Sequence, residues 1–146
     1  MSAAIEWVYD DGGRAAAGFR GSTDDCVTRA IAIATGRPYR TVYDDLHELL
    51  RAQPAKVRGS RSPRLGVHRR IYEPYLFEAG WWWEPTMSIG SGTRVHLRAD
   101  GLPMGRLLVR VTKHLCAVID GVIHDTGDPS RDGTRAVYGF YANGDR

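Results

Sequence analysis

The chain has 146 residues, the length of one domain, and is long enough to bury a core without disulfide bonds. Apolar residues make up 42% and charged residues 25%, which excludes disordered and fibrous classes. The net charge of +3 favours solubility and weak attraction to polyanions without requiring a nucleic-acid partner. We therefore expect a single domain over residues 1–146.

The sequence gives no sign of a membrane span or an export signal. It contains no run of 18 or more apolar residues, and MSAAIEWVYDD lacks a basic region followed by an apolar stretch. Its two cysteines form neither a disulfide framework nor a CxxC pair. The sequence thus predicts a cytoplasmic protein with reduced thiols and no membrane partner.

The N-terminal part begins with an expected strand or extended arm over 7–9 and a loop at Asp11-Gly12-Gly13. Good N-cap residues at 22–25 then precede CVTRAIAIATG, whose Gly36 marks the end of a first helix. A second helix is expected from Pro38 to about 53, with an apolar stripe at helical spacing: Val42, Leu46, Leu49 and Leu50.

Beyond a Pro- and Gly-rich loop, a third helix is expected over 67–79, with a break or a shortened first half imposed by Pro74. Strand signals dominate the remainder, and helices followed by strands predict an α+β fold. Strand alternation sends Trp81 and Trp83 to one face, which favours core packing. The predicted strands are 81–84, 106–111, 114–119, 122–125 and 135–141.

The segment TDDCVTRAIAIATG places Cys26 at or within the first turn of the first helix. Free amides and the positive end of the helix dipole lower a thiol's pKa there, which generates the nucleophilic thiolate. The amide of Cys26 could also stabilise an oxyanion. The alternative is a small buried side chain, because free cysteine is among the most buried residue types.

The segment KHLCAVIDGVIHDTGD predicts a hairpin, because Asp120-Gly121 between two alternating apolar runs favours a two-residue turn. In that register His114 and Asp125 are diagonal neighbours on one sheet face, and His124 points to the other. Asp125 could then orient His114 while His114 activates a thiol. The alternative is an ordinary hairpin with a solvated histidine.

A cysteine at an early helix start, then a strand histidine and an acidic residue, resembles the papain-like cysteine peptidase superfamily. The segments DDCVTRAIAIATGRPY and GRLLVRVTKHLCAVIDGVIHDTGD are similar to small bacterial and phage members, over about 22–45 and 105–128. The resemblance implies an α+β fold with N-terminal helices packed on a twisted antiparallel sheet. It implies Cys26 as nucleophile, His114 as general base and Asp125 as orienting residue, with a peptide or protein substrate and no cofactor.

The sequence departs from the papain pattern at the oxyanion donor. In papain a glutamine several residues before the nucleophile donates to the oxyanion, whereas Arg20 stands six residues before Cys26. The nearest candidates are Asp24 and Asp25, and an ionised carboxylate cannot donate a hydrogen bond. We therefore expect Asp24 to cap the helix, or to replace the amide donor in protonated form.

A second thiol, Cys116, shares the predicted sheet face with His114 but lacks a helix dipole, so we expect a structural role. Cys26, Cys116, His114 and Asp125 could converge as a zinc site, since these residue types all ligate zinc. The spacing contains no local ligand pair, and we predict a site without metal.

The chain carries one marked basic cluster, which could contact phosphates or border a substrate groove. No recognised nucleic-acid motif accompanies it, so a solvated surface is the simpler interpretation. A non-catalytic module that contacts a protein or nucleic acid through 56–70 is the alternative to an enzyme. The cluster comprises Lys56, Arg58, Arg61, Arg64, Arg69 and Arg70, with His68 among them.

Overall fold

The computed structural model describes residues 4–21, 23–54, 59, 61–88, 92–93 and 95–143. Within these ranges the fold is α+β, as the order of helix and strand signals predicts. The helices are α1 (Cys26–Thr35), α2 (Tyr39–Arg51) and α3 (Arg69–Glu78), with a 3-10 turn at Pro63–Leu65. The strands are β1 (Glu6–Tyr9), β2 (Trp81–Pro85), β3 (Met87–Ser88), β4 (Gly92–Thr93), β5 (Arg106–Val111), β6 (His114–Ile119), β7 (Val122–Asp125) and β8 (Gly139–Asn143).

Helices α1 and α2 form where the sequence predicts. Helix α1 ends because Gly36 adopts a left-handed conformation (φ 76°) and donates its amide to the Ala32 carbonyl. Helix α2 follows Pro38, and its predicted stripe is confirmed except at Leu49, which is exposed. The buried residues of α2 are Tyr39, Val42, Leu46 and Leu50.

Helix α3 is continuous through Pro74 and begins at Arg69 rather than at 67, so the shortened first half is observed and the alternative, a break, is not. The ring of His68 caps its start, with Nδ1 accepting the Arg70 amide at 3.1 Å. Pro74 has no backbone N–H, so one helical hydrogen bond is missing there. Ile71 and Leu76 are buried on either side of Pro74 and hold the helix against the core.

Among the described residues, six strands form one sheet in the order β1-β7-β6-β5-β8-β2, and β3 and β4 form a separate two-stranded sheet. The sheet is mixed, because β1 runs parallel to β7 while the other neighbours are antiparallel. The implied antiparallel sheet is therefore wrong for β1. All three helices lie between β1 and β7 in the chain, and a connection of that length permits the parallel direction.

The last predicted strand, 135–141, begins only at Gly139. Before it, Ala136 forms an isolated bridge with His96. Gly139 gives room for the Trp83 ring, which would lie 2.5 Å from a Cβ at this position. Trp81 is buried and Trp83 packs on Tyr141, so both belong to the core side as predicted.

Apolar clusters cover both faces of the sheet. Leu115 and Ala117 of β6 face the cluster that contains the helices, and Cys116 and Val118 face the other. Helix α1 packs along β6 and also contacts β7. This packing brings the N-terminus of α1 to the end of the sheet where β6 begins and β7 ends.

The β6–β7 hairpin has the predicted register, with Ile119 paired to Val122. Its turn consists of Asp120 and Gly121, both with positive φ, 48° and 79°. Such turns match the twist of the two strands, which explains why this dipeptide determines the pairing.

Replacing Gly121 by Ala will lower the free energy of unfolding by about 1 kcal/mol, because a left-handed backbone penalises a Cβ. Crowding is not the cause, since the Met104 sulfur, 3.9 Å from that Cβ, is the nearest atom. Gly127→Ala is the matched control, because Gly127 lies outside the left-handed region and its Cβ would meet nothing within 4 Å. Urea denaturation measures the free energy of unfolding of both variants. Equal losses of stability in Gly121→Ala and Gly127→Ala would contradict this explanation of the turn.

Candidate active site

His114 and Asp125 form a hydrogen-bonded pair at one end of the sheet. His114 is the first residue of β6, directly after a tight turn at Thr112 and Lys113, and Asp125 is the last residue of β7. Nε2 of His114 lies 2.6 Å from Oδ2 of Asp125. The two residues are therefore the neighbours that the hairpin register predicts.

Cys26 is the first residue of α1, and its thiol lies beside His114. Burial alone would raise the pKa of this thiol, but the hydrogen bond and charge of His114, together with Leu115 and Arg29, outweigh burial and lower it. Because Asp125 occupies Nε2 of His114, Nδ1 is the ring nitrogen left for the thiol. Contacts thus run from Asp125 through His114 to Cys26.

The backbone amide of Leu115 also hydrogen-bonds the Cys26 sulfur and lowers the thiol pKa. The pair next to the turn is Val111 and His114, and the following pair is Arg110 and Leu115. Hydrogen-bonded and non-hydrogen-bonded pairs alternate in an antiparallel ladder, so the Leu115 amide points away from β5 and toward β7. Strand β7 ends at Asp125, one residue short of the position opposite Leu115. Because β7 ends there, the Leu115 amide has no strand partner on that side among the described residues and is available to the Cys26 sulfur.

The charges of the site support one another. Burial would lower the pKa of His114, but the hydrogen bond to Asp125 and the contact with Cys26 raise it to about 9. Burial would raise the pKa of Asp125, but His114, the Thr126 amide and Arg29 lower it. The site therefore favours the thiolate of Cys26 and the imidazolium of His114 more than water favours them on the free side chains.

Arg29, one turn beyond Cys26, links α1 to the sheet. Its guanidinium forms salt bridges with Asp25 and, at 3.3 Å, with Oδ1 of Asp125. Asp25 is fully buried and accepts a 2.5 Å hydrogen bond from the Tyr39 hydroxyl. The network was not predicted from the sequence, although the i, i+4 spacing of Asp25 and Arg29 is a recognised signal for an ion pair.

The prediction that Asp24 caps α1 is wrong. Asp25 holds the N-cap position, while Asp24 is exposed and donates its amide to the Arg64 carbonyl at 2.8 Å. Asp25 makes no capping hydrogen bond to the described helix, because Arg29 and Tyr39 hold its carboxylate. The first amides of α1 are thus left uncapped by this side chain.

Cys26 opens onto a cleft of about 470 Å³, here called the first cleft, between the start of α1, the loop before α3 and the β5–β6 hairpin. A second cleft of about 540 Å³ lies on the other side of His114. Cys26 lines the first and Asp125 the second, so an electrophile reaches the sulfur through the first. Apolar side chains in the first cleft are Val27, Leu65, Val67, Tyr72 and Val111.

The basic cluster borders the first cleft through Arg69 and His68. Arg69 is fixed there by a salt bridge to Glu73 at 2.7 Å, and its guanidinium lies 4.3 Å from the centroid of the Trp83 ring. Burial would lower the pKa of the Arg69 guanidinium, but its hydrogen bonds and charge interactions with Glu73 and Tyr141 together raise it. Arg69 is therefore an ordered wall of the cleft.

Arg61, Arg64 and Arg70 are not among the residues that line the first cleft, and their contact with a substrate or polyanion stays a prediction. Arg61 donates instead to two backbone carbonyls just after α2. Arg64 uses its backbone carbonyl to hold the chain before α1. Lys56 and Arg58 lie outside the described residues.

The remaining candidates lie away from the thiol. Cys116 is buried in the cluster on the far face of the sheet, and burial raises the pKa of its thiol. Nδ1 of His124 lies 3.5 Å from Oδ2 of Asp10. Within the described part of the chain, no three or more His, Cys, Asp or Glu residues are arranged to hold a metal ion.

Comparison of the chain with protein-family models, curated proteins and solved structures finds no match. No helix in the described ranges is long and apolar enough to cross a membrane. Function is therefore inferred from the geometry of the site.

Replacing Asp125 by Asn will lower the pKa of His114 from about 9 toward the ordinary imidazole value, because a neutral amide removes the charge that stabilises the imidazolium. An NMR titration of the ring protons measures the shift. Asp128→Asn is the matched control, because Asp128 is exposed and accepts the Ser130 amide. An unchanged His114 pKa in the Asp125 variant would show that Asp125 does not set the charge of the ring.

Replacing Asp25 by Ala will lower the free energy of unfolding by about 3 kcal/mol, because Arg29 and the Tyr39 hydroxyl lose a buried partner. Asp24→Ala removes the neighbouring but exposed carboxylate and will cost under about 0.5 kcal/mol. Thermal and chemical denaturation compare the two. Similar losses would argue against a buried network at Asp25.

Proposed function

We propose that the protein is a cysteine-dependent hydrolase, a peptidase or amidase, that acts through Cys26, His114 and Asp125. The proposal is carried by the hydrogen-bonded chain from Asp125 through His114 to a thiol of lowered pKa at a helix start. Nucleophilic catalysis by a thiol requires an adjacent imidazole that a third group orients. These three side chains fill those roles.

We also propose that the site is papain-like. The order along the chain is nucleophile, histidine, orienting residue, and the helix that carries Cys26 packs on the sheet that carries His114 and Asp125. The α+β architecture is compatible with this relationship. A reduced thiol, which the chemistry requires, fits the cytoplasmic location expected from the sequence.

The reaction begins when the Cys26 sulfur attacks the carbonyl carbon of an amide. A C–S bond forms while the carbonyl π electrons move to oxygen. As the intermediate collapses, His114 gives its proton to the leaving nitrogen and the C–N bond breaks, which leaves a thioester. Water then attacks the thioester, His114 accepts its proton, and the thiolate departs. An amine in place of water completes acyl transfer by the same steps.

The N-terminus of α1 is the candidate oxyanion site. The amide of Cys26 points out of the helix start, and Asp25 does not cap the amides that follow it in the described helix. Backbone donors at a helix N-terminus stabilise developing negative charge. This arrangement supplies a donor without the glutamine of papain, because Arg29 and Tyr39 divert the Asp25 carboxylate.

Iodoacetamide will label Cys26 well below the pH at which ordinary thiols react, because the lowered pKa provides the reactive thiolate. His114→Ala removes the imidazole whose hydrogen bond and charge lower the pKa of the Cys26 thiol against the effect of burial. The midpoint of the labelling rate against pH will therefore move up by about one unit or more, equivalent to about 1.4 kcal/mol per unit. Mass spectrometry identifies the modified cysteine.

Cys116 is the control within the same chain, since burial and its raised pKa will keep it unlabelled while the protein is folded. Slow labelling of Cys26 at an ordinary thiol pKa, unchanged in His114→Ala, would reject the hydrolase. That result would favour the non-catalytic module that contacts a protein or nucleic acid through the basic cluster. The affinity of such a module for its partner falls with salt and is unchanged by Cys26→Ala.

A further inference from the structure

The first cleft contains two cations without a described counter-charge. Arg110 and Lys113 line it on the β5–β6 side, and neither forms a salt bridge with a carboxylate in the described ranges. The other two arginines of the cleft, Arg29 and Arg69, are each bound to carboxylates. Unbalanced positive charge is therefore concentrated next to His114.

Arg110 is held in this position by its surroundings. It shares a face of β5 with Leu108, which packs under the helices. Its guanidinium lies 5.3 Å from the centroid of the Tyr138 ring. Arg110 and Tyr72 line the same cleft, and the charge of Arg110 opposes the rise that burial causes in the pKa of Tyr72. A half-buried guanidinium without a carboxylate is costly, and a bound anion removes that cost.

The opposite wall carries Asp24, an exposed carboxylate next to Cys26. The cleft is therefore asymmetric, with negative charge on the α1 side and positive charge on the hairpin side. Apolar side chains such as Leu65 and Val67 line the space between them. Such a cleft suits a chain with apolar groups and one acidic group, and it lacks the row of cations that successive phosphates require.

We propose that the substrate is an acidic peptide, and that Arg110 and Lys113 bind a carboxylate beside the bond that Cys26 attacks. This substrate class rests on the proposed hydrolase function. The carboxylate belongs to an Asp or Glu side chain of the peptide. Arg110 supplies a planar pair of donors that matches a carboxylate, and Lys113 adds a flexible charge at the rim.

Alkylation of Cys26 by iodoacetate and by iodoacetamide tests the charge of the cleft, because the reagents differ by one negative charge. The ratio of their rate constants cancels changes in thiol reactivity. At low ionic strength Arg110→Gln and Lys113→Gln will each lower this ratio about three- to tenfold, and Asp24→Asn will raise it. Arg51→Gln, the matched control, removes an exposed charge at the end of α2 outside the cleft and will leave the ratio unchanged.

Peptide binding tests the same inference without the reaction. Cys26→Ala protein will bind fluorescein-labelled tetraglutamate more tightly than tetraglutamine, and adding Arg110→Gln will remove most of that preference. Anisotropy at two salt concentrations measures both affinities. The Arg51→Gln change in the same background corrects for non-specific attraction to a basic protein.

The two proposals fail in different ways. Suppose that Cys26 labels rapidly, but the ratio of the iodoacetate and iodoacetamide rate constants is unchanged in Arg110→Gln and Lys113→Gln. That result would overturn the proposal of an acidic substrate and leave the proposed hydrolase standing. A Cys26 that fails to label, with the tetraglutamate preference intact, would overturn the hydrolase and leave an acidic-ligand cleft. Equal binding of both peptides, or tighter binding of tetrathymidylate through the same residues, would overturn the acidic substrate.

Discussion

One guanidinium joins the two halves of the site. Arg29 binds Asp25 at the start of α1 and Asp125 at the end of β7, so one side chain positions both the helix that carries Cys26 and the carboxylate that is hydrogen-bonded to His114. Its Nε is buried without a hydrogen-bond partner among the described residues. Because burial strengthens paired charges and penalises unpaired ones, this bridge holds only while both carboxylates are ionised.

The two cysteines show how environment, rather than residue type, determines reactivity. Cys26 lies at a helix start with an imidazole and a backbone amide against its sulfur, and its thiol pKa is lowered despite burial. Cys116 lies in an apolar cluster, and its thiol pKa is raised. Opposite shifts in one small domain follow from the same burial penalty, which charged and hydrogen-bonding neighbours offset only at Cys26.

Local chemistry made part of the site predictable. Gly36 marks the end of α1, and Asp120-Gly121 sets the register that brings His114 beside Asp125. Two features were not predicted: the parallel pairing of β1 with β7, and the salt bridge from Arg29 to Asp125. Both depend on contacts between distant segments, which no local pattern encodes. The prediction that Asp24 caps α1 is wrong because the N-cap position falls one residue later, at Asp25.

The topology also determines when the site can exist. Arg29 and Asp125 are separated by 96 positions, and β8, the last described strand, is inserted between β5 and β2 rather than added at an edge. Contacts of such separation form late, because closing long loops costs entropy before pairing compensates for it. A nascent chain on the ribosome therefore exposes Cys26 as an ordinary thiol long before β6 and β7 are made. The lowered pKa of its thiol depends on His114 and Leu115, so it arises only once β6 has packed beside the start of α1.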